Sequence, residues 1–326
     1  MRDEMVLRLL DWYDANHRVL PWRETRDPYA IWVSETILQQ TRVAQGLDYY
    51  RRFLETFPDV ASLAAADQDD VMRVWQGLGY YSRARNMQQA ARQVVAMGGF
   101  PNTYKELLFL KGIGPYTAAA IGSFAFGLPV AAIDGNVLRV VSRLFCIEEP
   151  IDAKSGRKLV EGLVDEMLPM DDSAHFNQAM MEFGALQCVP HPDCTSCPLT
   201  DHCLALARGK VESLPFKEHR TKVRDRFFHY YLLHDDTSLY LHKRGEGDIW
   251  QGLYELPLRE VESADAEETL LPVKSARHVL SHQVIHARLY EQRLPAPLPS
   301  REGCIVVRRD ELDRYPLPRL IQILLD

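Results

Sequence analysis

Cys188, Cys194, Cys197 and Cys203 fall in one short stretch, Cys188-Val-Pro-His-Pro-Asp-Cys194-Thr-Ser-Cys197-Pro-Leu-Thr-Asp-His-Cys203. Pro190, Pro192 and Pro198 keep it out of regular helix or strand, so core packing does not account for four thiols this close. Such a loop needs something at its centre, and soft thiolates select iron–sulfur clusters or zinc. Structural zinc usually takes two C-x2-C hooks or a Cys/His mixture. A single C-x2-C between two longer arms favours a 4Fe–4S cluster held by all four. Zinc is the competing reading, and a disulfide pair stands behind both. His191 and His202 read as solvated loop histidines. Cys146 and Cys304, alone in apolar surroundings, read as small buried hydrophobes. Four clustered cysteines out of six point to a reducing compartment.

Two further patterns carry chemistry. Leu110-Lys111-Gly112-Ile113-Gly114-Pro115-Tyr116 reads as helix, glycine hairpin, helix. Gly112 and Gly114 permit a tight turn that offers backbone amides at the start of the next helix. That arrangement suits phosphate whatever the base sequence, and a plain interhelical turn is the alternative. Asp134, in Ala131-Ala132-Ile133-Asp134-Gly135-Asn136-Val137, reads as the N-cap of a helix. Its position also suits an anion facing positive charge that develops on a sugar.

These residues need elements to hold them. The chain is long enough for two domains. Apolar spacing predicts helix around residues 6–13, a long helix within Tyr29–Phe57, one pattern from Ala61 to Trp75, and another over 84–97. Shorter helices follow at 104–110, 115–126, 134–146, 154–167 and 173–187. From residue 226 the text turns to strands, at 227–233, 238–242, 287–294 and 303–307, with helices at 261–270, 309–314 and 318–325. The expected organisation is an all-α domain over 1–210, a linker over 211–225, and a smaller α+β domain over 226–326.

The formal net charge is −7, which on its own disfavours a nucleic-acid partner. Binding a polyanion depends on the local field, however, and basic residues gather at Arg83 and Arg85, at Arg139 and Arg143, and along Lys217, Arg220, Lys222, Arg224 and Arg226. The last run reads as a solvated linker. No apolar run reaches the length of a membrane span and no secretion signal opens the chain, so a cytoplasmic location is expected.

Hairpin, Asp134 and four-cysteine loop together resemble the helix-hairpin-helix DNA glycosylase superfamily in its iron–sulfur branch, and within it the MutY-type adenine DNA glycosylases. Long matches support this: Leu20-Pro21-Trp22-Arg23, Trp32-Val33-Ser34-Glu35-Thr36-Ile37-Leu38-Gln39-Gln40-Thr41, Gly77-Leu78-Gly79-Tyr80-Tyr81-Ser82-Arg83-Ala84-Arg85-Asn86 and Phe176-Asn177-Gln178-Ala179-Met180-Met181-Glu182. The resemblance implies a monofunctional enzyme acting on duplex DNA as a monomer, releasing adenine opposite 8-oxoguanine or guanine. Glu35 would protonate the leaving base, and its apolar neighbours imply burial and a raised pKa. Asp134 would stabilise the oxocarbenium-like sugar electrostatically or trap it covalently, with Tyr116 and Asn136 supporting both acids. Tyr116 stands where the bifunctional endonuclease III relatives carry a nucleophilic lysine. Gln40 and Tyr80 match intercalating positions; Trp22, Arg23 and Glu182 match the adenine pocket; Lys111, Gly112 and Gly114 lie on the DNA-binding hairpin.

Asp248-Ile249-Trp250-Gln251-Gly252-Leu253-Tyr254-Glu255-Leu256-Pro257 resembles the Nudix-like module of the same family. The metal-binding Nudix box is missing, which implies recognition of the opposing base rather than nucleotide hydrolysis. Leu280, Ser281 and His282 match the recognition triplet, with Leu280 in place of an aromatic. Five residues separate Cys188 from Cys194, one fewer than the family pattern. A bifunctional glycosylase/lyase on oxidised pyrimidines and a non-catalytic iron–sulfur DNA-binding protein are the rival readings.

Overall fold

The computed structural model describes residues 2–219, 223–263, 266, 268 and 270–326. Its helices are α1 (Arg2–Asn16), α2 (Pro28–Ile37), α3 (Val43–Thr56), α4 (Val60–Ala65), α5 (Gln68–Val74), α6 (Ser82–Ala96), α7 (Tyr104–Leu107), α8 (Pro115–Phe126), α9 (Gly135–Leu144), α10 (Lys154–Met167), α11 (Ser173–Leu186), α12 (Leu204–Ala207) and α13 (Arg319–Leu325). The strands are β1 (Arg224–His234), β2 (Ser238–Lys243), β3 (Tyr254–Glu255), β4 (Leu258–Val261), β5 (Lys274–Val279), β6 (Gln283–Arg293) and β7 (Cys304–Arg308). The chain divides into two compact units, Met1–Tyr50 with Arg92–Arg220 and Arg51–Ala91 with Thr221–Asp326.

In the helical unit, α1, α9, α10 and α11 close around Leu9, Val140, Val141, Val160, Val164, Phe176, Ala179 and Phe183. Burying apolar stripes from several helices in one core is what stabilises segments too short to be helical alone. Local chemistry sets the ends that matter for function. Asp27 accepts hydrogen bonds from the amides of Tyr29 and Ala30, with Pro28 at the first helical position, and so starts α2. Gly114 and Pro115 start α8, and Gly127, left-handed at φ 64°, stops it. Ala118, Ala119 and Ala120 are buried and small, which lets α8 pack closely on α2.

The long helix expected within Tyr29–Phe57 is instead α2 and α3, parted at Gln40, whose φ is 61°. The pattern from Ala61 to Trp75 is likewise two helices, with Asp67 capping the second. Both breaks come from side-chain caps and a local backbone turn that apolar spacing does not register.

The second unit carries a mixed sheet in the order β3-β2-β1-β6-β5, with β4 also on β1 and β7 also on β2. β1 and β6 run parallel from Arg224 opposite Gln283 to His234 opposite Arg293, and β5 pairs antiparallel to β6. Leu320, Ile321 and Leu324 of α13 are buried, and α13 packs on β5. The expected strand 287–294 begins earlier, at Gln283, while β3, β4 and β5 were not anticipated. Of the helix expected at 261–270, Val261 ends β4 and the other described residues are not helical; residues 264, 265, 267 and 269 lie outside the described residues.

Arg226 corrects the reading of the basic run as a solvated linker. It is 8% exposed and pairs with Asp248 at 2.7 Å and Glu260 at 2.6 Å. Arg220 and Lys222 of that run lie outside the described residues.

Candidate active site

A cleft of about 700 Å³ in the helical unit brings Glu35, Tyr116, Asp134 and Asn136 together, with Trp22, Arg23, Gln40 and Glu182 also on its walls. Glu35 sits on α2, whose residues from Tyr29 to Ile37 are all buried. Burial pushes its carboxyl up to about 7, and the Asp134 charge adds to this against the Tyr116 hydrogen bond and Arg23. The Tyr116 hydroxyl donates to Glu35 Oε2 at 2.5 Å and also lies 3.3 Å from Met181 Sδ. Its place in the first turn of α8, just after Pro115, aims it back toward α2.

Asp134 is the N-cap of α9. Its Oδ1 accepts the Asn136 and Val137 amides at 2.8 Å each, and Oδ2 accepts the Asn136 side-chain amide at 2.7 Å. Burial raises its pKa, opposed by these hydrogen bonds and by Arg139. The cap fixes where the carboxylate points. Arg139 extends the support, donating to Asn136 Oδ1 at 2.9 Å, the Gly184 carbonyl at 2.6 Å and the Cys188 carbonyl at 2.8 Å. Gly184 has to be glycine, because a Cβ there would meet Asn136 Cβ at 2.6 Å.

Glu182 is 1% exposed and gripped by Arg18 and Arg23 at 2.6 and 2.7 Å. Burial works against its charge, yet these arginines hold its pKa down at about 2. Arg23 is thereby oriented in the cleft. Trp22 is buried, edge-on to Tyr50 at 5.1 Å.

Other expected positions are not on the walls of this cleft. Gly112 turns the hairpin at φ 77°, Gly114 caps α8, and exposed Lys111 gives its backbone amide to Gln93 Oε1 at 2.7 Å, so that amide is not bare. Tyr80 belongs to the second unit, left-handed at φ 46°, with the Arg83 guanidinium 5.5 Å over its ring. Leu280, Ser281 and His282 form the turn between β5 and β6, where the Leu280 amide donates to the Gln283 carbonyl and Ser281 Oγ lies 3.2 Å from His282 Nδ1.

Cys188, Cys194, Cys197 and Cys203 line a single cavity. All six cysteines are free thiols, which removes the disulfide reading. Cys146 is buried, whereas Cys304 is half-buried, a correction to its expected burial. Among the described residues, no three His, Cys, Asp or Glu side chains are arranged to hold a single metal ion. Burial pushes the Cys197 thiol up to about 11, and the neighbouring cysteines push the same way. Four thiolates here would need positive charge among them. Arg143 supplies part of it, with Nη1 at 3.5 Å from Cys188 Sγ while its other bonds hold the carbonyls of Val189, Pro190 and Leu214. His191 is exposed as expected. His202 is not solvated, being 13% exposed with a buried Nε2 lacking a hydrogen-bond partner.

Sequence reasoning missed Arg18 as a clamp, Arg139 and Arg143 as the ties between α9 and the cysteine loop, and Lys217 on the cleft wall. Lys217 is exposed, and its segment is pinned by the Ile151 amide donating to the Phe216 carbonyl and by Asp152 accepting the amides of Glu218 and His219.

The helical stretch 33–166 matches the family model of the HhH-GPD superfamily base excision DNA repair proteins, and residues 229–326 match that of the NUDIX domain. The adenine DNA glycosylase of Buchnera aphidicola subsp. Acyrthosiphon pisum is 32% identical over 304 residues, 88% of this chain and 86% of the relative. That of Buchnera aphidicola subsp. Baizongia pistaciae is 35% identical over 254 residues, 76% of this chain and 72% of the relative. A solved thermostable thymine-DNA glycosylase superposes with a TM-score of 0.58 at 28% identity, over 64% of this chain and 97% of its own. With motifs, fold and near full-length similarity in agreement, the chain belongs to the adenine DNA glycosylase family of the HhH-GPD superfamily.

Proposed function

We propose that this chain is a monofunctional adenine DNA glycosylase that hydrolyses the N-glycosidic bond of adenine opposite 8-oxoguanine or guanine in duplex DNA. The observation that carries this reading is two acids, Glu35 and Asp134, on one cleft in unlike environments. Adenine leaves poorly as an anion, so the departing base must be protonated. Glu35, near its midpoint at neutral pH, retains a proton to give. Asp134, held by three donors, faces the sugar and opposes the positive charge of the oxocarbenium-like transition state. Tyr116 places the Glu35 proton, and no hairpin amine stands at this position to form a Schiff base.

Extruding the adenosine costs about a few kcal/mol, which Gln40 and Tyr80 would offset by filling the gap in the stack. The four thiols line one cavity, and a set of four soft thiolates fits a 4Fe–4S cluster. When bound, that cluster would neutralise the thiolates and fix the loop whose Cys188 carbonyl anchors Arg139.

The functional division follows: 1–210 for base excision, 211–225 as connector, and 226–326 for reading the opposing base through Leu280, Ser281 and His282. In the second unit Asp248, Glu255 and Glu260 are committed to Arg226 and Arg244, which supports recognition over metal-dependent hydrolysis. Leu280 in place of an aromatic would forgo about 1–3 kcal/mol of stacking and soften discrimination. We take the partner to be mispaired duplex DNA bound by a monomer in the cytoplasm.

Single-turnover adenine release from duplexes carrying each opposing base tests the reading. Glu35→Gln should bind the A:G duplex normally and release no adenine. Undiminished release would remove Glu35 from the chemistry.

A further inference from the structure

A second groove, of about 340 Å³, lies on the sheet of the C-terminal unit and shares no residue with the cleft. The registers of β1, β6 and β5 build it as two rungs. Phe227, His286 and Arg277 stand side by side on the three strands, and His229, Arg288 and Ser275 form the next rung. Because side chains alternate faces along a strand, all six share one face. Phe227 and His286 are stacked, with ring centroids 5.0 Å apart and planes within 18°. Arg277 and Arg288 are diagonal neighbours, a spacing of about 7–8 Å and somewhat less at Cβ. Neither is paired with a carboxylate among the described residues. The nearby acids are committed elsewhere, Asp225 to His286 at 2.6 Å and Glu268 to Tyr231 and Arg259.

His229 supplies an independent sign of a missing ligand. It lines the groove and is 1% exposed, and its Nδ1 has no hydrogen-bond partner. Glu268 Oε2, at 3.7 Å, would form an ion pair with a protonated ring but is beyond hydrogen-bond reach. A buried imidazole nitrogen left unpaired is costly, and a phosphate oxygen or its bridging water would satisfy it.

The first rung lies close to the turn that carries Leu280, Ser281 and His282, with the pairs His278–Ile285 and Val279–Val284 between Arg277–His286 and that turn. We propose that this groove binds the sugar–phosphate backbone of the DNA strand opposite the target adenine, with Arg277 and Arg288 on neighbouring phosphates. The inference rests on the reading of that turn as the probe of the opposing base and names the contact that would hold the probed strand against it. Phosphate contacts set register without reading sequence, which is what a probe beside them requires.

The test uses the full chain with its cluster and a duplex whose target adenosine carries a cleavage-resistant 2′-fluoro group. Arg277→Ala with Arg288→Ala should weaken binding by roughly tenfold and lower the slope of log K against log salt by about 1 per arginine. The loss should be the same opposite 8-oxoguanine and guanine, and single-turnover release at saturating enzyme should be unchanged. The Lys double variant should keep the wild-type slope. An unchanged slope and affinity in the Ala variant, or a loss confined to one opposing base, would overturn the proposal. Ser281→Ala with His282→Ala tests the turn separately: failure to alter opposing-base preference there sinks the reading of the turn, whatever the arginines do.

Discussion

On the mechanism proposed above, Glu35 ties catalysis to stability through one proton. Its carboxyl is raised to about 7 from an ordinary value near 4.5, chiefly by burial. The proposed role as an acid needs the protonated form, so the single-turnover rate should fall as pH rises through about 7. The same shift means that the folded state holds this proton more tightly than the unfolded chain does. The associated stability is fully present below the unfolded pKa and is lost as pH rises from about 4.5 to about 7, by about 3 kcal/mol for a shift of this size. Glu35→Gln, which cannot ionise, should therefore unfold at higher denaturant than the parent at pH 8 and not at pH 4. Equal stability of variant and parent at both pH values would show that the carboxyl is not raised in the folded state. That Glu35 and Asp134 share one cleft and the four cysteines one cavity agrees with sequence expectations that rested on short local patterns. Arg18, Arg139 and Arg143 were not legible that way, because their partners lie far along the chain: 164 residues for Arg18 to Glu182, and 49 for Arg139 to Cys188.

The helices supply precision mainly where α11 meets α9. Gly184 lets α11 approach the first turn of α9 so closely that an added Cβ would lie 2.6 Å from Asn136 Cβ and 3.1 Å from its backbone. Backbone cannot yield as a flexible side-chain tip can. Gly184→Ala should cost about 1–3 kcal/mol of stability by overpacking, and should displace the Asp134 cap with it. Adenine release should then slow even at temperatures where the variant stays folded, read by single turnover beside a denaturant curve. Full activity in a destabilised variant would separate the packing from the site. The turn between α2 and α3 shows the limit of sequence at this level. The apolar pattern runs through Leu38 to Val43 without glycine or proline, so nothing marks the left-handed Gln40. Strands β4 and β5 escaped for another reason. β5 alternates only between half-buried and exposed positions and β4 does not alternate, so the exposed polar residues Arg259, Glu260, Ser275 and Arg277 dilute the hydrophobic signal.

Net charge across the whole chain argues against DNA, and the local arrangement of cations answers it. The −7 total is spread over the surface, whereas a polyanion feels the groups within about a Debye length, roughly 8–10 Å. On the cleft, Arg18 and Arg23 spend their charge on Glu182, Arg157 on Glu161, and Arg139 donates to Asn136. Lys217 has no carboxylate or hydrogen-bond partner among the described residues, and its backbone is pinned at the cleft mouth by Ile151 and Asp152. On the proposed function, a free ammonium held at that place would meet a backbone phosphate next to the extruded nucleoside. Lys217→Ala should weaken duplex binding about threefold to tenfold at low salt and reduce the salt slope by about 1, with single-turnover release at saturating enzyme within about twofold of the parent. Lys217→Arg should restore the slope, since only the charge is required. A slope unmoved in Lys217→Ala would mean that the lysine stays in solvent when DNA is bound. A rate that collapsed at saturation would instead place it among the groups acting on the sugar, leaving the phosphate to the helix termini.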